Sequence, residues 1–92
     1  MTDVRKIDKR ITWFVGEMKR VLNIPKNSAK GDWRNEKLAD LYQHLLAEVV
    51  ELGIAIHEGY DYEVVSEACD VAAMAMMVAD KKVFAEDRGG DE

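Results

Sequence analysis

The sequence predicts an all-α protein of three main helices, a helical hairpin or bundle completed by oligomerisation. Apolar residues recur at steps of three or four along each long segment, which is the spacing of one helix face. The single proline, Pro25, falls between the first two of these segments, where regular structure should break. In the second segment the apolar arc exceeds half the circumference, more than one partner helix would bury. An oligomer interface is the simplest explanation of that width.

The first helix is predicted over Val4–Leu22, and a second over about residues 35–57. Residues 24–33 between them contain the only proline, a glycine and three further small polar residues, so they predict a loop. A third helix is expected over roughly residues 62–84, with only three polar side chains between positions 64 and 79. Because a helix that is apolar all round is normally buried all round, we expect the third helix to be buried on all sides.

A short connection joins the second and third helices. Gly59 is suited to a helix C-terminal cap, and Asp61 is a plausible N-cap for the next helix. Since short links make neighbouring helices antiparallel, these two helices should form a hairpin.

Size and composition fit one small soluble domain. We assign residues 1–85 to the domain and residues 86–92 to a mobile tail, because the tail has no periodicity. The net charge of −5 argues against a nucleic-acid partner, and no segment resembles a membrane span or a signal peptide. A single cysteine, Cys69, with small apolar neighbours reads as an inert buried thiol. We expect a cytoplasmic protein that binds no membrane.

Four acidic residues pair off symmetrically around the predicted hairpin turn. They are Glu48, Glu51, Glu67 and Asp70. In an antiparallel hairpin centred on Gly59, the first would lie level with the last and the two inner acids level with each other. Carboxylates gathered at an apolar interface repel one another and lose hydration unless a cation lies among them. The pattern therefore predicts a site for a divalent metal ion.

Carboxylate ligands on two helices favour Mg²⁺, with Mn²⁺ as a substitute. Zinc is disfavoured because His and Cys do not cluster. A di-iron bundle needs Glu-x-x-His motifs, and neither His44 nor His57 has an acid three positions earlier. A lone Glu-x-x-Glu is usually a solvated helix face, but two pairs placed symmetrically about a turn favour a functional interpretation.

Three further residues are candidates for substrate contact. Lys30, beside a glycine in the loop, is the best candidate for binding phosphate, and Lys81 is a second basic candidate. Trp33 has two readings, since an aromatic residue in a polar loop either caps the core or stacks on a base. We favour a place near the site.

The acid pairs and their flanking residues resemble the MazG-like branch of the all-alpha nucleoside triphosphate pyrophosphohydrolases. The similarity covers about residues 28–82 and includes the four acids within their hydrophobic flanks. The run Lys30, Gly31, Asp32, Trp33 is also similar to an element of small phage or mobile-element members. One departure is Ala47, which stands where the family often doubles the first acid.

The resemblance implies hydrolysis of a nucleoside triphosphate between its α and β phosphates, yielding monophosphate and pyrophosphate. Family members hold Mg²⁺ among the four acids and assemble as dimers or tetramers. By analogy we expect deoxynucleoside triphosphates, with a purine preference. We also predict that Glu48, which borders the apolar face of the second helix, is the catalytic general base. Two rivals are a non-catalytic nucleotide- or metal-binding regulator of the same architecture and a purely structural helical oligomer.

Overall fold

The computed structural model describes residues 3–24 and 33–84, and this part of the chain is helical without strands. Its helices are α1 (Val4–Leu22), α2 (Leu38–Glu58) and α3 (Asp61–Val83), with a short 3₁₀ helix at Trp33–Asn35 ahead of α2. The predicted all-α class and the three main helices are confirmed.

Helix α1 has the predicted bounds because residues at each end suit a helix terminus. At the start, the Asp3 carboxylate accepts a hydrogen bond from the Arg5 backbone N–H at 3.0 Å. Lys19 and Arg20 lie in the last turn, where cations interact favourably with the helix dipole. The chain then leaves the helix at Asn23, whose N–H still donates to carbonyls of the last turn.

Helix α2 begins at Leu38, later than the predicted start near residue 35. The intervening residues form the 3₁₀ helix instead, in which the Glu36 N–H donates to the Trp33 carbonyl at 3.0 Å. Lys37 is extended, with φ −73° and ψ 152°, so it separates the two helices. The delayed start follows from this change of backbone direction.

The turn between α2 and α3 is built on Gly59. Its φ of 81° is left-handed, and its N–H donates to the Ala55 carbonyl at 2.9 Å. The predicted glycine cap is therefore confirmed. The prediction that Asp61 is the N-cap is wrong, because the cap is Tyr60, whose carbonyl accepts from the Val64 N–H at 3.0 Å. Asp61 lies in the first turn, where its negative charge still suits the helix dipole.

Helix α3 is the central element, because it packs along α2 and also against α1. The buried apolar residues come from all three helices and are Val21, Leu41, Ala55, Cys69 and Ala73. A hydrogen bond from Arg20 to the Tyr62 hydroxyl joins the end of α1 to the start of α3, and an ion pair with Glu17 within α1 holds the Arg20 guanidinium. The hairpin therefore forms the main body, and α1 covers one side of it.

The single chain leaves much apolar surface exposed. Five residues of α2 form what we call the α2 stripe, all at least two-fifths exposed: Tyr42, Leu46, Val49, Val50 and Ile54. The expectation that α3 is buried on all sides is not met in one chain, because Met76 is 41% exposed. Two neighbouring helices cannot surround a third one completely.

Two predictions concern residues outside the described ranges. They are the loop over positions 25–32, which includes Lys30, and the mobile tail at 86–92. Among the described helices, none combines the length and the hydropathy needed to cross a membrane.

Candidate metal centre

Three of the four predicted acids converge where α2 packs on α3. Glu48 comes from α2, whereas Glu67 and Asp70 are one turn apart on α3. One carboxylate oxygen from each lies within 4.8 Å of the others, and all three residues are half-buried. The hairpin produces this arrangement because Gly59 reverses the chain midway between the two acid-bearing segments.

Glu51 lies apart from this group of three. It is exposed, while Glu48 is half-buried, although both are on α2. Three residues span about 300° of helix rotation, so Glu51 points about 60° away from Glu48, and on α2 this rotation turns it toward solvent. The four acids therefore do not all converge on one point. The negative charge of Glu51 is nevertheless close enough to raise the pKa of Glu67.

The pKa of Glu67 is raised above its ordinary value of 4.5. Burial is the largest cause, because it disfavours the charged form. A side-chain hydrogen bond with Asp70 comes next, followed by repulsion from Asp70, Glu48 and Glu51. Glu67 is thus the residue on which the whole acid cluster acts, and it holds a proton more tightly than an isolated glutamate does.

The three converging carboxylates fit a hard divalent cation by donor chemistry. Mg²⁺ binds oxygen at about 2.1 Å, so neighbouring ligands of an octahedral ion lie about 3.0 Å apart and opposite ligands about 4.2 Å apart. The three oxygens lie within 4.8 Å of one another, so binding one ion would require side-chain rotations that draw them closer together. A bound cation would also remove the repulsion that raises the pKa of Glu67.

Cys69 lies beside the acids in sequence but has a different environment. Its side chain is fully buried, as predicted, and burial raises the pKa of its thiol. Repulsion from Glu17 and Asp70 raises that pKa further. Because the thiolate is the nucleophilic form, these effects keep Cys69 unreactive at neutral pH.

The other site candidates do not lie beside the acids. Trp33 and Lys81 are at the end of the hairpin that is far from the Gly59 turn, and Lys30 is outside the described residues. Trp33 is half-buried in the 3₁₀ helix ahead of α2. Lys81 is 1% exposed, and its ammonium group donates to the Arg34 carbonyl at 3.0 Å. Lys30 lies in the range that the structure does not describe.

The burial of Lys81 is a feature that the sequence analysis missed, although the sequence carried a signal. Cys69, Ala73 and Lys81 are all buried and fall at multiples of four along α3. That spacing keeps side chains on one helix face, so position 81 belongs to the buried face. We considered Lys81 only as a candidate for substrate contact and did not place it on this face.

Comparisons with known proteins identify no relative: no family model, no curated protein and no solved structure matches the chain.

Proposed function

We propose that the protein is a metal-dependent nucleoside triphosphate pyrophosphohydrolase, which cleaves between the α and β phosphates. The observation that carries this proposal is the convergence of Glu48, Glu67 and Asp70 at the helix interface. Half-buried carboxylates this close repel one another, so they are costly to the fold unless they bind a cation. Such a cation would attract a polyphosphate, which the acids alone would repel.

In the proposed site, Glu48, Glu67 and Asp70 hold Mg²⁺, and Mn²⁺ substitutes for it. The ion supplies charge neutralisation for the triphosphate and lowers the pKa of the attacking water. Glu51 is more exposed, and it contributes as an outer ligand or through its field. The hairpin fixes the relative positions of the acids before substrate arrives, which limits the reorganisation needed for reaction.

A general base must accept the proton of the attacking water, and two residues compete for this role. We keep Glu48 as the proposed base, since it lies at the apolar edge of α2 within the acid cluster. Glu67 is the alternative, because its carboxylate lies within the same cluster. Loss of the low-pH limb of the kcat profile in Glu48→Gln but not in Glu67→Gln would assign the role to Glu48.

The substrate class is proposed by analogy with the small phage or mobile-element members of the MazG-like family, which the acid pairs resemble. We propose deoxynucleoside triphosphates as substrates, with a preference for purines, and the cytoplasm as the compartment. A free, buried cysteine is compatible with a reducing environment.

We further propose that the working form is a homo-oligomer, a dimer or a tetramer. The α2 stripe exposes apolar side chains in a chain whose buried core is small. A second copy would cover this stripe, and the apolar surface buried between the two copies would add to the small core of each chain.

The deciding experiment measures phosphate released from each common dNTP and NTP, with pyrophosphatase added and with Mg²⁺ or Mn²⁺. We expect turnover that depends on the metal and is abolished by chelation. Asp70→Asn should lower kcat by about a hundredfold or more, the scale on which a misplaced metal or proton acceptor acts. Glu51→Gln should have a smaller effect because its side chain is exposed.

Glu63→Gln is the matched control, because Glu63 is an exposed acid on α3 outside the cluster. It should keep wild-type turnover. No turnover with any triphosphate, combined with Mg²⁺ uptake by calorimetry, would replace the enzyme proposal with a non-catalytic binding protein. No turnover and no metal uptake would leave a structural helical oligomer.

A further inference from the structure

The most deeply buried charge among the described residues is the ammonium-bearing side chain of Lys81. It is 1% exposed and belongs to the last turn of α3. Its Nζ donates to the backbone carbonyl of Arg34 at 3.0 Å, in a partly buried contact between segments far apart in sequence. An ammonium group at this depth needs hydrogen-bond acceptors, because its transfer from water is costly.

Packing alone does not require a lysine at this position. An unbranched apolar residue such as methionine has similar length and fills such a space without any desolvated charge. Buried ionic groups are often replaceable by apolar residues without loss of stability. The lysine adds a directional, charged hydrogen bond to the Arg34 carbonyl, which links the 3₁₀ helix to the end of α3.

The segment held by this bond carries Trp33. Arg34 is its direct neighbour, and both belong to the three-residue 3₁₀ helix that contacts α3. A short 3₁₀ turn has few internal hydrogen bonds, so its position depends on external contacts such as this one. The hydrogen bond to the Arg34 carbonyl therefore restrains the backbone one residue away from the half-buried Trp33 ring.

Lys81 is too far along α3 to reach the acid cluster itself. It lies eleven positions after Asp70, which corresponds to about 16 Å along a helix axis. That separation is comparable with the length of an extended nucleoside triphosphate. A substrate whose phosphates bind at the acids is therefore long enough to reach the end of the hairpin where Trp33 lies.

We propose that Lys81 is a positioning residue, which holds Trp33 in place for the base end of a nucleoside triphosphate and does not itself bind phosphate. This inference rests on the proposed function. It separates two roles along the hairpin: the acids would hold the polyphosphate, and the 3₁₀ helix would present an aromatic face to the base. Lys81 contributes to the second role through its hydrogen bond to the Arg34 carbonyl.

The test compares Lys81→Met with Lys82→Met, a matched control at the exposed neighbouring lysine. We expect the first variant to raise the KM for a nucleoside triphosphate about tenfold, the loss expected for a charged hydrogen bond. Its kcat should stay within about twofold, because catalysis depends on the acids. Inhibition by inorganic tripolyphosphate, which lacks a base, should be unchanged, and Lys81→Arg should recover much of the KM.

A second readout does not need activity. In a Trp13→Phe background the fluorescence comes from Trp33, and acrylamide quenching reports how far the ring is shielded. We expect Lys81→Met to increase quenching and Lys82→Met to leave it unchanged. If hydrolysis is never found, this measurement still decides whether Lys81 positions Trp33.

Two results would overturn the proposal. One is wild-type quenching and wild-type KM in a Lys81→Met protein whose helical circular dichroism is intact. The other is weaker inhibition by tripolyphosphate, which would make Lys81 a phosphate ligand. If Lys81→Met does not fold, Lys81→Gln is the replacement variant, since its amide retains a donor without the charge.

Discussion

At the scale of single residues, Glu67 is where the structure adds most to the sequence. Its carboxyl group is affected by burial, by a hydrogen bond with Asp70 and by two acids of the neighbouring helix. Sequence spacing identifies acids on one helix face, but it does not say which of them retains a proton. That depends on relative burial, which is set by the packing of α2 on α3.

The raised pKa of Glu67 predicts how stability changes with pH in metal-free protein. A carboxyl group with a higher pKa in the folded state binds protons more tightly there than in the unfolded chain. Its stabilising contribution is therefore present below the unfolded pKa and is lost as pH rises through the folded pKa. Urea unfolding in EDTA should show a free energy of unfolding that falls over that interval.

Glu67→Gln should flatten this dependence, because the group that titrates is gone. Glu63→Gln, on the exposed side of α3, should keep the wild-type slope. Added Mg²⁺ should reverse the trend in wild-type protein, since ion binding favours the ionised acids and releases protons. A slope that is identical in wild type and Glu67→Gln would show that Glu67 does not carry the effect.

At the scale of elements, the α2–α3 turn depends on one left-handed glycine. Gly59 has φ 81°, and no atom lies within 4 Å of the place where a Cβ would stand. The requirement is therefore one of backbone conformation and not of space. An alanine would have to adopt a conformation that costs about 1 kcal/mol.

Gly59→Ala should lower the free energy of unfolding by about that amount, as measured in urea. Gly16→Ala is the matched control, because this glycine lies inside α1 with equally open space around it. Its substitution should stabilise the protein by about 1 kcal/mol, since alanine is the better helix former. Changes of the same sign in both variants would contradict the role of the left-handed turn.

The elements also show what can be predicted from sequence. The bounds of α1 and the cap at Gly59 were predictable because they depend on local preferences that a few residues express. The start of α2 and the cap at Tyr60 were not, because both depend on backbone directions set by the 3₁₀ helix and the turn. For the acids, antiparallel pairing predicted the meeting of Glu48 with Asp70, whereas the outward rotation of Glu51 required the packed hairpin.

At the scale of the whole molecule, the main question is what covers the α2 stripe. Tyr42, Leu46, Val49 and Val50 are between 42% and 61% exposed. Sequence periodicity predicted a wide apolar arc, and the structure shows which part of it remains uncovered in one chain. Association with a second molecule is a property of two surfaces, so it does not follow from the periodicity of one helix.

If a second copy covers the stripe, Val49→Glu should shift the sedimentation mass toward that of one chain. A carboxylate buried in an apolar interface is unpaired and costs several kcal/mol, so dissociation is expected. Lys9→Glu is the control, because Lys9 is exposed on α1, outside the stripe and away from the acid cluster. A wild-type mass that equals one chain at all protein concentrations would rule out the proposed homo-oligomer.

The tight reversal at Gly59 also bears on the order in which the chain assembles. Contacts between α2 and α3 join residues near one another in sequence, and such local contacts close fast because little chain entropy is lost. Docking of α1 requires closure of a longer loop and should come later. The three converging acids would thus come together when the α2–α3 hairpin forms. A cation could then bind them before α1 packs against the hairpin.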